Sequence, residues 1–336
     1  MTQVKNPLLN ALKHQLASVY KGSPDVIDNL LVALMCQGHL LLEDVPGLGK
    51  TTLAKALTKS LSLSFNRVQC TPDLMPSDIL GGNIYQQNEQ NFKFLPGPIF
   101  ANLVLVDEIN RASPRAQSAF LEAMAEGAVT IDRQTVPLPS PFMVIATQNP
   151  IEFAGTFPLP EAQLDRFFMR VSLGYPTAEQ SLEILNGHAQ QEPIHSVRPI
   201  INKDTLQQWQ QACLDVQIID DVKKYIVAFI EATRNHKDVR LGASPRAAIA
   251  LMHAARADAY LKGAQFVTPQ NVQSVAYAVL GHRLVLRGGQ NLARGQKILE
   301  ELLQTVPVIA VAVNNTAAPV AASTTTPVTT KQPATK

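Results

Sequence analysis

The residues with the clearest chemical potential follow a short apolar run, Leu40–Glu43. The run leads into a turn with two glycines, then into Lys50, Thr51 and a segment with helical periodicity. A strand, a glycine-rich turn and Lys-Thr at a helix start are typical of a loop that binds phosphate groups. The glycines let backbone N–H groups approach an anion, and the helix N-terminus adds partial positive charge. This predicted phosphate loop comprises Asp44, Val45, Pro46, Gly47, Leu48, Gly49, Lys50, Thr51 and Thr52.

Individual residues of the phosphate loop have expected roles. We expect Lys50 to reach the β- and γ-phosphates of ATP and the Thr51 hydroxyl to bind Mg²⁺. Asp44 departs from the general pattern, which has glycine where the turn opens. Because Asx residues tolerate unusual turn dihedrals, Asp44 is compatible with the same turn.

A pair of carboxylates follows a second apolar run, Leu103–Val106. Asp107 at the strand tip suits a water-mediated hold on Mg²⁺, and Glu108, on the opposite side, can orient and deprotonate an attacking water. An apolar strand that ends in Asp-Glu is weak evidence alone, but it becomes strong downstream of a phosphate loop. The pair therefore predicts hydrolysis rather than nucleotide binding alone.

Strands and helices must bring these groups together. Continuous apolar runs, rather than alternating ones, suit strands that are covered on both faces of a parallel sheet. Such runs occur in the first half of the chain only, at Leu40–Leu42, Phe65–Val68, Leu103–Val106, Met143–Ala146 and Phe168–Leu173. The remaining segments after about residue 175 have helical patterns, so the predicted fold class is α/β, with a parallel-sheet core followed by an all-helical part.

Helix starts are marked by a repeated signal, a polar cap followed by proline at the first helical position. It occurs at Asn6-Pro7, Ser23-Pro24, Ser113-Pro114, Ser244-Pro245 and Thr268-Pro269. Thr177 with Gln180 predicts a capping box at a further helix.

Composition restricts the function classes. The 336 residues are 46% apolar and 17% charged, which is ordinary globular composition. Two of the basic residues lie in a C-terminal segment without acids, so the rest of the chain is neutral, which argues against a dedicated nucleic-acid binder. Three scattered cysteines indicate reduced thiols. No secretory signal and no apolar run of ~20 residues is present, so we expect a cytoplasmic protein without a membrane span.

Three further polar residues follow strand or helix signals, and with them the sequence resembles an AAA+ ATPase. Asn149 matches the family's first sensor, with an Asn-Pro turn as the alternative. Arg166 resembles the arginine finger that acts on a neighbouring subunit, and a salt bridge with Asp165 or Glu161 is the alternative. Arg246 resembles the second sensor, a lid arginine on the phosphates of its own subunit, and the alternative is a surface arginine.

Longer motifs narrow the resemblance to the MoxR branch of AAA+. They are Glu43–Thr51, Asp107–Arg111, Ser118–Met124, Thr147–Glu152 and Pro160–Phe167. The similarity covers about residues 5–303. It implies an αβα core (1–175), an all-helical lid (176–304), a homo-oligomer that is a hexameric ring, and ATP with Mg²⁺. It also implies a chaperone-like role in remodelling, activating or inserting metal into partners that carry a von Willebrand factor A domain. The tail, 305–336, lies outside the resemblance and is predicted to be disordered.

Two rival functions and one hypothesis complete these expectations. A DNA-directed AAA+ ATPase shares the same motifs, and a nucleotide-gated assembly scaffold would bind ATP without useful turnover. A predicted hairpin carries Tyr85, Phe92 and Phe94, and we expect one of them to contact the client. Packing of these aromatics onto their own domain is the alternative. A second hairpin is predicted over Val129–Val136.

Overall fold

The computed structural model describes residues 6–43, 48–88, 90–132, 134–149, 155–188, 193–289 and 292–308. Four residues of the phosphate loop, Asp44, Val45, Pro46 and Gly47, lie outside the described residues, as does the tail from residue 309 onward.

The first part of the chain alternates helices and strands. Its helices are α1 (Pro7–Val19), α2 (Pro24–Met35), α3 (Lys50–Ser60), α4 (Pro76–Leu80), α5 (Pro114–Glu126) and α6 (Glu161–Leu164). Its strands are β1 (Leu40–Glu43), β2 (Phe65–Gln69), β3 (Gly81–Gln86), β4 (Asn91–Pro96), β5 (Leu103–Asp107), β6 (Ala128–Ile131), β7 (Gln134–Pro137), β8 (Met143–Gln148) and β9 (Met169–Val171). A short 3-10 helix, Ile109–Arg111, follows β5.

Five strands form one parallel sheet in the order β2-β5-β8-β1-β9. They are the five apolar runs of the sequence, so the predicted parallel sheet is confirmed. Strand β1 lies between β8 and β9, whereas the next strand in the chain, β2, lies at the opposite edge. The carboxyl ends of strands at such a reversal of strand order form the crevice where α/β folds bind ligands.

Alternating side chains of the sheet enter two hydrophobic clusters. In β1, Leu40 and Leu42 join the cluster that contains α1, α2 and α3, while Leu41 joins the cluster that contains α4 and α5. Strands β5 and β8 divide in the same way. The sheet is therefore buried on both faces, which explains the continuous apolar runs in its sequence.

The described residues of the second part of the chain are mainly helical, as predicted, with a departure in two short segments. Its helices are α7 (Ala178–His188), α8 (Lys203–Asp215), α9 (Asp220–Asn235), α10 (Pro245–Leu261), α11 (Pro269–Leu280) and α12 (Leu292–Thr305). The departure is an antiparallel pair of short strands, β10 (Val239–Leu241) and β11 (Val285–Leu286). Segments of two or three residues are too short to give a strand period, so the sequence pattern does not reveal them.

The end of the lid extends beyond the predicted boundary at residue 304. Helix α12 continues to Thr305, and Val306 is buried in the hydrophobic cluster that includes the lid, so two residues assigned to the tail continue the lid. Among the described residues, no helix combines the length and apolar character that crossing a bilayer requires.

The predicted helix starts are confirmed. The polar caps Asn6, Ser23, Ser113, Ser244 and Thr268 precede α1, α2, α5, α10 and α11, and proline begins each helix. Thr177 and Gln180 form the predicted capping box before α7, with both N–H···O contacts present at 2.9 and 3.2 Å. Local chemistry therefore determines where these helices begin.

Candidate active site

The described part of the phosphate loop lies at the start of α3. Gly49 has a φ of +83°, a conformation that favours glycine, and it caps the helix that Lys50 begins. Gly49, Lys50, Thr51 and Thr52 line one side of a cavity of about 350 Å³. The first turn of a helix presents backbone N–H groups without intrahelical partners, so this wall of the cavity suits an anion.

The carboxylate pair lines the same cavity from the end of β5. Glu108 has a φ of +56°, which is uncommon outside glycine and turns the chain from β5 into the 3-10 helix. Such backbone conformations occur at functional sites that the surrounding structure holds in place. The predicted pair therefore lines the same cavity as Lys50 and Thr51.

Thr147, near the end of β8, connects the two carboxylate residues. Its buried Oγ1 accepts a hydrogen bond from the Glu108 N–H at 2.8 Å and donates one to Asp107 Oδ1 at 3.2 Å. Asn149, which was predicted to belong to the site, lies two residues further along the chain. It is buried and also lines the cavity. Because β8 lies between β1 and β5, Asn149 is placed between the phosphate loop and the carboxylates.

Sequence reasoning missed two residues of β2 that hold the carboxylates. Arg67 Nε donates to Asp107 Oδ2 at 2.6 Å, and Gln69 Nε2 donates to Glu108 Oε2 at 3.1 Å. Both side chains lie on the same face of β2, since successive strand residues alternate. The available signal was that Arg67 and Gln69 are polar residues at alternate positions near the carboxyl end of a strand that pairs with β5.

The carboxylates also influence their neighbours. Arg111 Nη1 donates to Glu108 Oε2 at 2.9 Å, so this carboxylate accepts from two side chains. Burial, together with the charges of Asp107 and Glu108, raises the pKa of the Cys70 thiol to about 12. Cys70 therefore stays protonated beside the site and adds no negative charge to it.

The two predicted arginines do not line this cavity. Arg166 Nη1 donates to the carbonyl of Leu121 in α5 at 2.6 Å. Its suggested salt-bridge partners are paired elsewhere: Asp165 with Arg283 at 2.7 Å and Glu161 with Arg240 at 3.8 Å. The geometry thus brings Lys50, Thr51, Asp107, Glu108 and Asn149 together within one chain and leaves Arg166 outside.

Arg246 is exposed in the first turn of α10. Burial lowers the pKa of the Arg283 guanidinium, and the charge of Arg246 lowers it a little further, so Arg246 lies near Arg283. The suggested role on the phosphates of its own subunit therefore remains a prediction.

Comparison with known proteins agrees with this architecture. Residues 39–169 match the family described as "ATPase family associated with various cellular activities (AAA)", and residues 231–302 match the AAA lid domain. Over 274 residues the chain is 41% identical to the protein named chaperone MoxR1 of Mycobacterium tuberculosis (strain ATCC 25618 / H37Rv), covering 79% of this chain and 72% of that protein. The chain belongs to the MoxR family of AAA+ ATPases.

Two further proteins are similar to this chain along nearly its whole length. The protein YeaC of Bacillus subtilis (strain 168) is 44% identical over 305 residues, which is 90% of this chain and 95% of YeaC. The crystal structure of a predicted ATPase from Cytophaga hutchinsonii has a TM-score of 0.83 at 38% identity, covering 90% of this chain and 95% of that one. The resemblance to MoxR and the predicted order of sheet core and lid are therefore confirmed.

The oxygen groups that line the first cavity fit Mg²⁺, which AAA ATPases typically bind together with ATP. Mg²⁺ prefers oxygen ligands and is bound by one or two protein groups together with phosphates and water. The Thr51 hydroxyl and the Asp107 carboxylate line the same cavity and supply such ligands. Arg67, at 2.6 Å, balances the charge of Asp107 in this structure.

A second cavity of about 210 Å³ adjoins the first, since Gly49 and Thr52 line both. Its other walls come from Leu48, from the segment between α1 and α2 that includes Tyr20, and from Ile184 of α7. The lining is apolar and aromatic apart from a few polar groups, which suits a flat ring. Sequence reasoning did not anticipate Tyr20 or Ile184, because neither belongs to a phosphate-binding motif.

Proposed function

We propose that this MoxR-family chain hydrolyses ATP to ADP and phosphate and uses the reaction to remodel partner proteins. The observation that supports hydrolysis most strongly is the convergence of Lys50, Thr51, Asp107, Glu108 and Asn149 on one cavity. These groups come from α3, β5 and β8, which are separated in sequence and joined only by the sheet. A cavity that only bound nucleotide would not need a carboxylate opposite the phosphate side.

Each residue of the cavity has a role in this reaction. Lys50 and the N-terminus of α3 bind the phosphates, and the second cavity receives the adenine ring. Glu108 accepts the proton of the attacking water, and Asn149 orients that water and the γ-phosphate. Mg²⁺, held by Thr51 and through water by Asp107, would neutralise phosphate charge. Asp44, Val45, Pro46, Gly47, Leu48, Gly49 and Thr52 complete the binding loop.

Arg166 of a neighbouring subunit completes the site in this proposal. AAA+ ATPases are typically oligomeric, and we propose a hexameric ring. An arginine beside the γ-phosphate stabilises the charge that develops in the transition state. The position of Arg166 outside the cavity of its own chain supports action on another subunit. In the same proposal, Arg246 contacts the phosphates of the nucleotide bound to its own subunit.

The partner is proposed to be a protein client, as the name of the MoxR1 chaperone suggests for that relative. The hairpin of β3 and β4 carries Tyr85 and Phe92, which are 51% and 65% exposed, with ring centroids 5.3 Å apart. Phe94 instead packs against Phe100, with centroids 5.6 Å apart. We therefore assign client contact to Tyr85 and Phe92 and a packing role to Phe94. A von Willebrand factor A domain protein is the proposed client, activated by remodelling or metal insertion.

The nucleotide site can be tested with two lysines of α3. Lys50→Ala removes the side chain that is proposed to bind the phosphates, and Lys55→Ala removes an exposed lysine side chain of the same helix. We expect Lys50→Ala to abolish binding of a fluorescent ATP analogue and Lys55→Ala to bind as the unmodified protein does. Equal binding by the two variants would contradict the proposed site.

The rate of ATP turnover distinguishes the proposed ATPase from a nucleotide-gated assembly scaffold. We expect phosphate release per subunit to rise with protein concentration, because each site needs a neighbour. Tight ATP binding and assembly without phosphate release would favour the scaffold instead.

Client contact can be tested by adding a purified von Willebrand factor A domain protein from the same organism. Phe92→Ala and Tyr85→Ala should lose client-stimulated ATP turnover and keep basal turnover. Ile249→Ala, at an exposed apolar position of the lid, is the matched control. Unchanged stimulation in both hairpin variants would remove these residues from the client surface.

A further inference from the structure

The segment that carries Arg166 is held by the lid. Asp165–Arg170 connects α6 to β9 in the core, and Gly281–Arg283 follows α11 in the lid. Together we call these two segments the lid–core seam. Side chains cross the seam in both directions, and the two that come from the lid, Arg283 and His282, are almost completely buried.

Arg283 makes most of the contacts across the seam. Its Nε donates to Asp165 Oδ1 at 2.7 Å, and its Nη2 donates to the Phe167 carbonyl at 2.8 Å. Its Nη1 donates to the Phe168 carbonyl at 3.1 Å and to the Val279 carbonyl. The Arg283 side chain is only 4% exposed. The residues on both sides of Arg166 are therefore fixed to one lid guanidinium.

Two further residues complete the seam. His282 Nε2 lies 2.9 Å from the Phe167 carbonyl, and burial with the nearby arginine charges keeps the pKa of His282 well below its usual value. The ring is thus neutral and donates from Nε2. Arg170 Nη2 donates to the Gly281 carbonyl at 3.0 Å, and its Nη1 lies 3.3 Å from Glu43 Oε2.

The chemistry of Arg283 suits orientation more than simple attachment. A guanidinium presents its donors in a rigid planar fork, so it fixes the direction of several acceptors at once, whereas a lysine ammonium does not. Burial lowers the pKa of Arg283, and the Asp165 carboxylate opposes this effect. Arg283 therefore keeps its positive charge and its ion pair with Asp165. If Arg283 moved out of the seam, the Asp165 carboxylate would lose its partner.

We infer that Arg283 is a positioning residue for Arg166, through which the orientation of the lid controls the arginine offered to the neighbouring subunit. Arg166 lies between Asp165 and Phe167, both bound by Arg283, so a displacement of Gly281–Arg283 displaces the backbone of Arg166. This inference rests on the proposed action of Arg166 between subunits. It adds that the lid of one subunit governs hydrolysis in the next.

The variant Arg283→Lys keeps the charge and removes the fork, and Arg283→Gln keeps part of the hydrogen bonding without the charge. A misplaced catalytic group costs up to about 10²-fold, so we expect Arg283→Lys to lower kcat by roughly tenfold or more. Affinity for a fluorescent ATP analogue should be unchanged, since Arg283 does not line the cavity. The control is Arg240→Gln, which removes an exposed ion pair between lid and core, and it should leave kcat unchanged.

Mixed oligomers separate positioning of Arg166 from damage to the variant's own site. Two differently tagged variants are expressed together, and oligomers that contain both are purified through both tags. A pairing of Arg283→Lys with Lys50→Ala should regain turnover above either variant alone. The Lys50→Ala subunit then supplies a correctly held Arg166 to the intact phosphate loop of its neighbour. A pairing of Arg283→Lys with Arg166→Ala should show no more turnover than either variant alone.

The outcomes distinguish the inference from the function on which it rests. The pairing of Lys50→Ala with Arg166→Ala must regain turnover if Arg166 acts between subunits, and its failure would overturn the proposed function. If that pairing succeeds and Arg283→Lys with Lys50→Ala does not, Arg283 serves its own site or only the fold, and the inference is wrong. If Arg283→Lys unfolds at lower temperature, Arg283→Gln is carried through the same pairings with the same criteria.

Discussion

The cavity at the strand ends and the lid–core seam both contain arginine–carboxylate pairs, yet they differ in exposure. In the cavity, the Arg67 side chain is 48% exposed and its partner Asp107 is 10% exposed, while in the seam the Arg283 side chain is 4% exposed and its partner Asp165 is 27% exposed. An exposed guanidinium is solvated when its ion pair opens, whereas a buried guanidinium that loses its partner is left as an uncompensated charge. The cavity is therefore arranged to exchange its contacts for those of a ligand, and the seam is arranged to keep its contacts or to move as a unit.

Arg166 lies in the lid–core seam, outside the cavity of its own chain, and its replacement has the largest expected effect. Arg166→Ala should lower kcat by about 10³-fold, the lower end for an arginine finger, with ATP affinity retained. Steady-state turnover and nucleotide titration of the same preparation measure the two effects. A loss of ATP affinity instead would place Arg166 in the cavity of its own subunit and erase the contrast between the regions.

The buried histidine His39 makes the stability of the folded protein depend on pH. The His39 carbonyl accepts the Phe168 N–H at 2.8 Å, its Nδ1 accepts the Val144 N–H at 3.0 Å, and its Nε2 lies 2.9 Å from the Met124 carbonyl. Burial lowers the pKa of His39 from 6.5 to about 4. Between these values the unfolded state binds more protons, so stability is complete above pH 6.5 and falls as the pH drops toward 4.

This pH effect can be measured by thermal unfolding. The shift corresponds to about 3 kcal/mol of unfolding free energy lost by pH 4. His39→Gln, which can both donate and accept, should lose less stability between pH 6.5 and 4, while His14→Gln at an exposed position should behave as the unmodified protein. Parallel pH profiles for His39→Gln and the unmodified protein would show that another group causes the acid sensitivity.

The smallest predicted effect concerns Thr147, which supports the carboxylates without contacting ATP in our proposal. Thr147→Val removes the acceptor of the Glu108 N–H and the donor to Asp107 Oδ1. We expect turnover to fall by about tenfold, because the partly buried N–H group of Glu108 loses its partner and Glu108 shifts. Thr147→Ser should restore turnover, and equal activity of the Val and Ser variants would exclude a supporting role for the hydroxyl.

The sequence predicted the cavity more completely than the seam, for a physical reason. Phosphate binding and water activation require particular residue types at the ends of predicted strands, so Lys50, Asp107 and Asn149 could be named from local pattern. Prolines after polar caps and continuous apolar runs likewise identified helix starts and the parallel sheet, because both depend on neighbours in sequence.

The contacts that sequence reasoning missed join residues that are distant in sequence. Arg283 is 118 positions from Asp165, and Arg67 is 40 positions from Asp107. Neither pairing follows from a period or a motif, since any arginine could have been a surface residue. The short strands β10 and β11 were missed for a related reason: they are too brief to have a pattern, and tertiary packing alone aligns them.

In the proposed reaction, Glu108 activates water for hydrolysis of a nucleotide held by Lys50 and Thr51. The most direct test compares Glu108→Gln with the unmodified protein in phosphate release and in titration with a fluorescent ATP analogue and Mg²⁺. We predict turnover reduced by at least ~10²-fold, as expected for loss of a general base, with ATP binding retained. Near-normal phosphate release by Glu108→Gln would contradict the account.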